Sequence, residues 1–127
     1  MITEDYTSFE TAKLLKEKGF DDEYTNAFYD KSGILYFIDI LGDFSEHPDN
    51  DSDIAASTLY VAMKWLRDVH NIFIGINTVI GSDKNWGYEV FVQKQEVPIP
   101  NKIQWDWFTT YEEACEEGIR YVLENMI

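Results

Sequence analysis

One cysteine, two histidines, three prolines and ten basic residues are all that the 127 positions hold of those types. Each scarcity excludes something. The lone Cys115 has no partner for an internal disulfide, so the chain is not a disulfide scaffold. His47 and His70 stand far apart, with no Cys-x-x-Cys and no His-Glu-x-x-His, which removes the usual zinc ligand sets. Gly-x-Ser-x-Gly and a Gly-rich phosphate loop are also missing, and with them the commonest hydrolase and nucleotide signatures. No apolar run approaches the roughly 20 residues of a membrane helix. The longest, residues 33–41, is interrupted by Asp39. The first five residues are acidic where a signal peptide would be basic. The expectation is a cytoplasmic protein with no membrane partner.

Against ten bases stand 24 acids, a net charge of −14. Phosphate binding needs clustered Lys and Arg, and the ten here are scattered, so free nucleic acid is disfavoured as a partner. The plain use of such charge is solubility through self-repulsion. The sharper uses are docking on a basic protein or imitating nucleic acid. Aromatic residues are the second excess: eight Phe, eight Tyr and four Trp. One small core does not easily hold them all, so some are expected at the surface, where they favour an interface.

Size and composition predict one α+β domain over residues 1–127. Thr7 and Thr109 each open a Thr-x-aromatic-Glu-x-Ala stretch, with Glu10 and Glu112 three residues on. These read as capping boxes that start the first and last helices. Helix one is predicted over 8–18, closed by Gly19. Strands are predicted over 24–29 and 34–40, joined by a turn at Asp30-Lys31-Ser32-Gly33. Helix two follows over 57–70, with Leu59, Ala62, Met63, Leu66 and Val69 as its apolar stripe. Strands over 72–80 and 86–93 form a second hairpin, the first of them expected to be covered on both faces. Residues 103–108 read as a short edge strand after a Pro-interrupted segment. Helix three runs over 110–125. The resulting order, α-β-β-α-β-β-α, predicts two layers: a four-stranded, mostly antiparallel sheet packed with three helices.

Residues 8–20, 62–74 and 110–125 together resemble a group of small proteins recurrent in gut Bacteroidales genomes and their phages. No activity comes with that resemblance. It implies a phage or mobile-element context.

Few residues invite chemistry. Asp49, Asp51 and Asp53 open like a calcium loop, but Ile54 stands where the turn glycine belongs and Tyr60 where the bidentate Glu belongs. An EF-hand is therefore excluded. Those three aspartates remain candidates only for a weak, exposed Ca²⁺ or Mg²⁺ site, and no metal or other cofactor is expected. Cys115 lies on the apolar stripe of helix three, so it reads as core and not as a nucleophile. The interface candidates are Trp105, Trp107 and Phe108, since Trp105 and Trp107 share one face of an extended segment. The leading functional expectation is a non-enzymatic interaction protein with a protein partner, a homodimer being one form of this. The alternatives are an inhibitor that mimics nucleic acid and a small enzyme with an unrecognised site.

Overall fold

The computed structural model describes residues 5–22, 25–38, 53–78, 81, 83–92 and 102–127; for 105–107 it describes the backbone alone. The chain divides into two compact units, Met1–Thr58 and Leu59–Ile127.

In the first unit, α1 spans Phe9–Glu17. It starts because Ser8 supplies a hydroxyl that accepts from the Thr11 N–H at 3.2 Å, satisfying one of the orphan donors of the first turn. It stops at Gly19, which adopts φ +93°. The Gly19 N–H donates to Lys16 O and the Phe20 N–H reaches back to Leu15 O, a Schellman closure that a residue without Cβ makes cheaply. The strands are β1 (Ala27–Tyr29), β2 (Leu35–Phe37) and β3 (Ile54–Ala55). They form an antiparallel sheet in the order β2-β1-β3. The turn between β1 and β2 is set by Asp30, whose carboxylate accepts from the N–H groups of Ser32 and Ile34. The core of this unit gathers Ala12, Ala27, Tyr29 and Ala56. Thr7, fully buried, ties the start of the chain to it. Its N–H and its hydroxyl both donate to Ser57 O, and its carbonyl accepts from the Tyr29 hydroxyl at 2.5 Å.

In the second unit, α2 spans Leu59–His70, and the strands β4 (Ile72–Thr78), β5 (Trp86–Val92) and β6 (Lys102–Phe108) are followed by α3 (Tyr111–Asn125). Asn71 takes φ +58° to turn directly from α2 into β4. The three strands are antiparallel in the order β4-β5-β6. One face of the sheet receives α3, which packs on all three strands, while α2 packs on β4 and α3. The buried set is Leu66, Ile72, Ile74, Val90, Ile119, Val122 and Leu123, among others. Full burial of one such side chain stabilises by roughly 1.5–3 kcal/mol.

The α+β class and the three helices agree with the sequence reading; the four-stranded sheet does not. Among the described residues the strands form two sheets, each of three antiparallel strands. Ile54–Ala55, two residues long, adds a strand to the first hairpin and is too short to show alternation. Residues 102–108 pair with β5 as a full edge strand, which leaves β5 central and β4 at the other edge. The expectation that β4 is covered on both faces also fails. Its burial alternates at the start, with Ile72 and Ile74 buried and Phe73 exposed. On α2 the stripe holds at Leu59, Ala62 and Leu66, but Val69 is exposed. Both helix starts shift one residue from the predicted boxes, to Ser8 and Thr110.

Candidate interaction surface

The β4–β5 register pairs Ile72 with Val92, Ile74 with Val90 and Ile76 with Tyr88, and these residues face α3. Their neighbours point the other way. Phe73 stands opposite Phe91, Gly75 opposite Glu89, and Glu89 in turn opposite Ile103 of β6. The outer face therefore carries two adjoining rows: Phe73 and Phe91, then Gly75, Glu89 and Ile103. Phe73 is 41% exposed and Ile103 47%. The two Phe rings are 6.4 Å apart at an interplanar angle of 43°, an arrangement in which cross-strand aromatics attract. Phe91 and Glu89 are half-buried. Further along, the Nδ2 atom of Asn77 is buried without a partner.

The opposite face is packed against α3. Tyr88 stacks on Phe108 at 6.1 Å and packs against Tyr121 of α3 at 6.3 Å. Lys102 lays its ammonium 5.4 Å from the Tyr121 ring centre. Burial, with Glu117 and Tyr121 nearby, raises the Tyr88 hydroxyl above the usual phenol range. The large side chains of β5 and β6 that meet α3 are thus already engaged.

The predicted interface residues divide. Phe108 is half-buried against Tyr88. The side chains of Trp105 and Trp107 lie outside the described residues. The β6 backbone beside them is irregular: Tyr88 pairs with Gln104 but Trp86 pairs with Phe108, so β6 spends four residues where β5 spends two. Strict alternation cannot be carried through such a bulge.

Of the candidate metal ligands, Asp49 and Asp51 lie outside the described residues. Asp53 accepts a hydrogen bond from the Tyr36 hydroxyl. Among the described residues, no group of three His, Cys, Asp or Glu side chains is assembled to hold a metal. His47 is outside them too, and His70 sets its ring edge-on to Trp65 at 4.7 Å. Cys115 is buried, as its place on the stripe predicted, and burial beside Cys115 raises the Tyr111 hydroxyl. In the first unit a cleft of about 330 Å³ is lined by Lys16, Phe20, Asp21, Phe28 and Asp53, among others. Among the described residues that line it, no nucleophile stands beside a base. Among the described residues no helix is long and apolar enough to cross a membrane.

The alternation of polarity along residues 86–93 sets Glu89 and Phe91 together on one face of β5. The surface is not legible there, because whether the face that carries Phe73 is covered depends on how helices and strands pack at a distance, which no local pattern encodes. No protein-family model matches the chain, and no curated protein or solved structure is significantly similar to it.

Proposed function

We propose that this protein works by binding, as an acidic interaction module whose protein partner docks on the outer face of the β4–β5–β6 sheet. The observation that carries the reading is the exposure of Phe73 and Ile103 beside the Phe73–Phe91 pair. Scattered exposed apolar residues are ordinary, but adjoining rows of them on one rigid sheet are what partner surfaces use. A phage or mobile-element accessory is the setting that the resemblance of the three helical stretches suggests for such a module.

Mimicry of nucleic acid is the weaker alternative. It needs carboxylates spread along one face with no interruption. On α3 the run from Glu113 through Glu117 to Glu124 is interrupted by Arg120, which pairs with Glu124 at 3.2 Å, while Glu113 is spent on the helix start. A small enzyme is the third reading, and the cleft of the first unit is where its site would lie.

Photo-crosslinking in the native host tests the proposal. A photoreactive residue at 73 or 103 is expected to trap one protein partner, and one at Tyr60, which is 66% exposed on α2, is expected not to. Equal trapping from all three positions, or none from 73 and 103, overturns it.

A further inference from the structure

We infer that the partner of this face presents a cationic side chain, an arginine or lysine set among apolar groups, that seats against Glu89. The inference rests on the docking reading above and names the chemistry of the partner.

Glu89 sits in the middle strand, between Gly75 on one side and Ile103 on the other. Among the described residues, none gives its carboxylate a hydrogen bond or an ion pair. Lys102, next to Ile103 in sequence, is on the opposite face over Tyr121. Beside the carboxylate the sheet has a notch. A Cβ on Gly75 would make ordinary van der Waals contact with Phe73 Cε1 at 3.7 Å and Phe91 Cε2 at 3.9 Å, so the bare glycine leaves a shallow gap, about one methyl deep, beside two aromatic rings.

That arrangement selects among partners. A purely apolar surface that covered Phe73, Phe91 and Ile103 would also strip water from a carboxylate that no described residue pairs with, and burying a charge without a counter-charge is costly. A partner that brings a cation into the notch removes that cost. A guanidinium suits it best, because it can bond to the carboxylate while lying against the rings. The net charge of −14 attracts such a partner from a distance. A second copy of this chain is the weaker occupant, one that only high salt favours. A two-fold contact through this face would bring one Glu89 towards its equivalent and one −14 chain against another.

Two capped tripeptides titrated into the isotope-labelled full chain test the inference by amide chemical shifts. One carries arginine between two leucines, the other citrulline in its place. The arginine probe is expected to move the amides of residues 73–75, 89–91 and 103, and to bind about tenfold more tightly than the citrulline probe, as expected for a charge-assisted contact. Glu89→Gln is expected to abolish that preference while retaining the weak response to citrulline. Equal binding of both probes at this face overturns the role of Glu89 and leaves the docking reading standing. If neither probe moves these amides, the docking reading fails and the inference fails with it.

Discussion

A β-carbon on Gly118 would stand 2.9 Å from Cγ2 of Ile74 and 3.3 Å from Cγ of Tyr88. Glycine inside a helix costs about 1 kcal/mol relative to alanine, so α3 gives up stability of its own here. In return the helix comes close enough to the sheet to bury Ala114, Cys115, Ile119 and Val122. Gly118→Ala is expected to destabilise. The gain in helix propensity is about 1 kcal/mol, while forcing a methyl into a packed core costs about 1–3 kcal/mol. Tyr88 cannot easily give way, because Phe108 and Tyr121 pack against its ring. Urea unfolding of the two proteins measures the difference, and an alanine variant as stable as the parent would mean that α3 shifts outward freely.

Gly75 is the contrasting case. Its hypothetical Cβ has ordinary contacts at 3.7 and 3.9 Å, and its φ is not positive. Gly75→Ala is therefore expected to leave stability unchanged or raise it by up to about 1 kcal/mol, through the smaller entropy lost by alanine on folding. A loss larger than that in the same urea experiment would show that the strand needs a bare backbone at this point.

The helix starts give a graded set. Thr110 accepts from the Glu113 N–H at 3.1 Å, and Glu113 returns a carboxylate to the N–H and hydroxyl of Thr109. Thr110→Ala is expected to cost on the order of 1 kcal/mol, and Thr109→Ala less, because Thr109 flanks the cap. Ser8→Ala is expected to resemble Thr110→Ala. Thr7→Ala is expected to exceed both, since it opens space in a buried site and removes the hydroxyl donor to Ser57 O. Thermal melts of the four variants rank them, and Thr109→Ala as the costlier of the α3 pair would restore the register predicted from sequence.

That one-residue shift shows how far local patterns reach. Thr7-Ser8 and Thr109-Thr110 are pairs of capping residues, and hydroxyl chemistry does not say which member the helix will use. Gly19 and Asp30-Lys31-Ser32-Gly33 were legible because turns and caps are decided by neighbours in sequence. The sheets were not, because pairing is decided at a distance. Nothing around Ile54–Ala55 announces a third strand, and nothing in residues 102–108 says that β5 and not β4 becomes central. The surface inherits this limit. Trp105 and Trp107 stand out in the sequence as aromatics two apart. Phe73, Gly75, Glu89 and Ile103 form a patch only once three strands are in register.

Tyr36 gives the pH dependence its sign. Its hydroxyl is pushed up to about 12, by burial first and then by the hydrogen bond and the negative charge of Asp53. Folding thus favours the neutral phenol. A group whose pKa is raised in the folded state contributes stability that is complete below its unfolded pKa, about 10 for tyrosine, and is lost as pH climbs through the folded value. The first unit is expected to lose stability between pH 10 and about 12, and Tyr36→Phe to flatten that decline. Tyr36 is half-exposed, so solvent keeps the effect small. Melting temperatures across this range check it, and identical slopes for parent and variant would mean that the pair with Asp53 does not persist in solution.

Self-association supplies the last expectation, and it follows from two opposing forces on the same face. Phe73, Phe91 and Ile103 favour burial against any apolar surface, including another copy. Charge opposes it, with −14 on each chain and Glu89 inside the patch. Screening sets the balance, because exposed charges lose influence beyond about 8 Å at physiological salt while apolar attraction does not weaken. The chain is expected to be monomeric at low ionic strength and to associate more as salt rises. Glu89→Gln is expected to shift that onset to lower salt, and Phe73→Ser to suppress association at every salt concentration. Sedimentation equilibrium at three ionic strengths separates the contributions. Association that weakens as salt rises would mean that ion pairs hold the copies together, and the apolar face would then have no part in it.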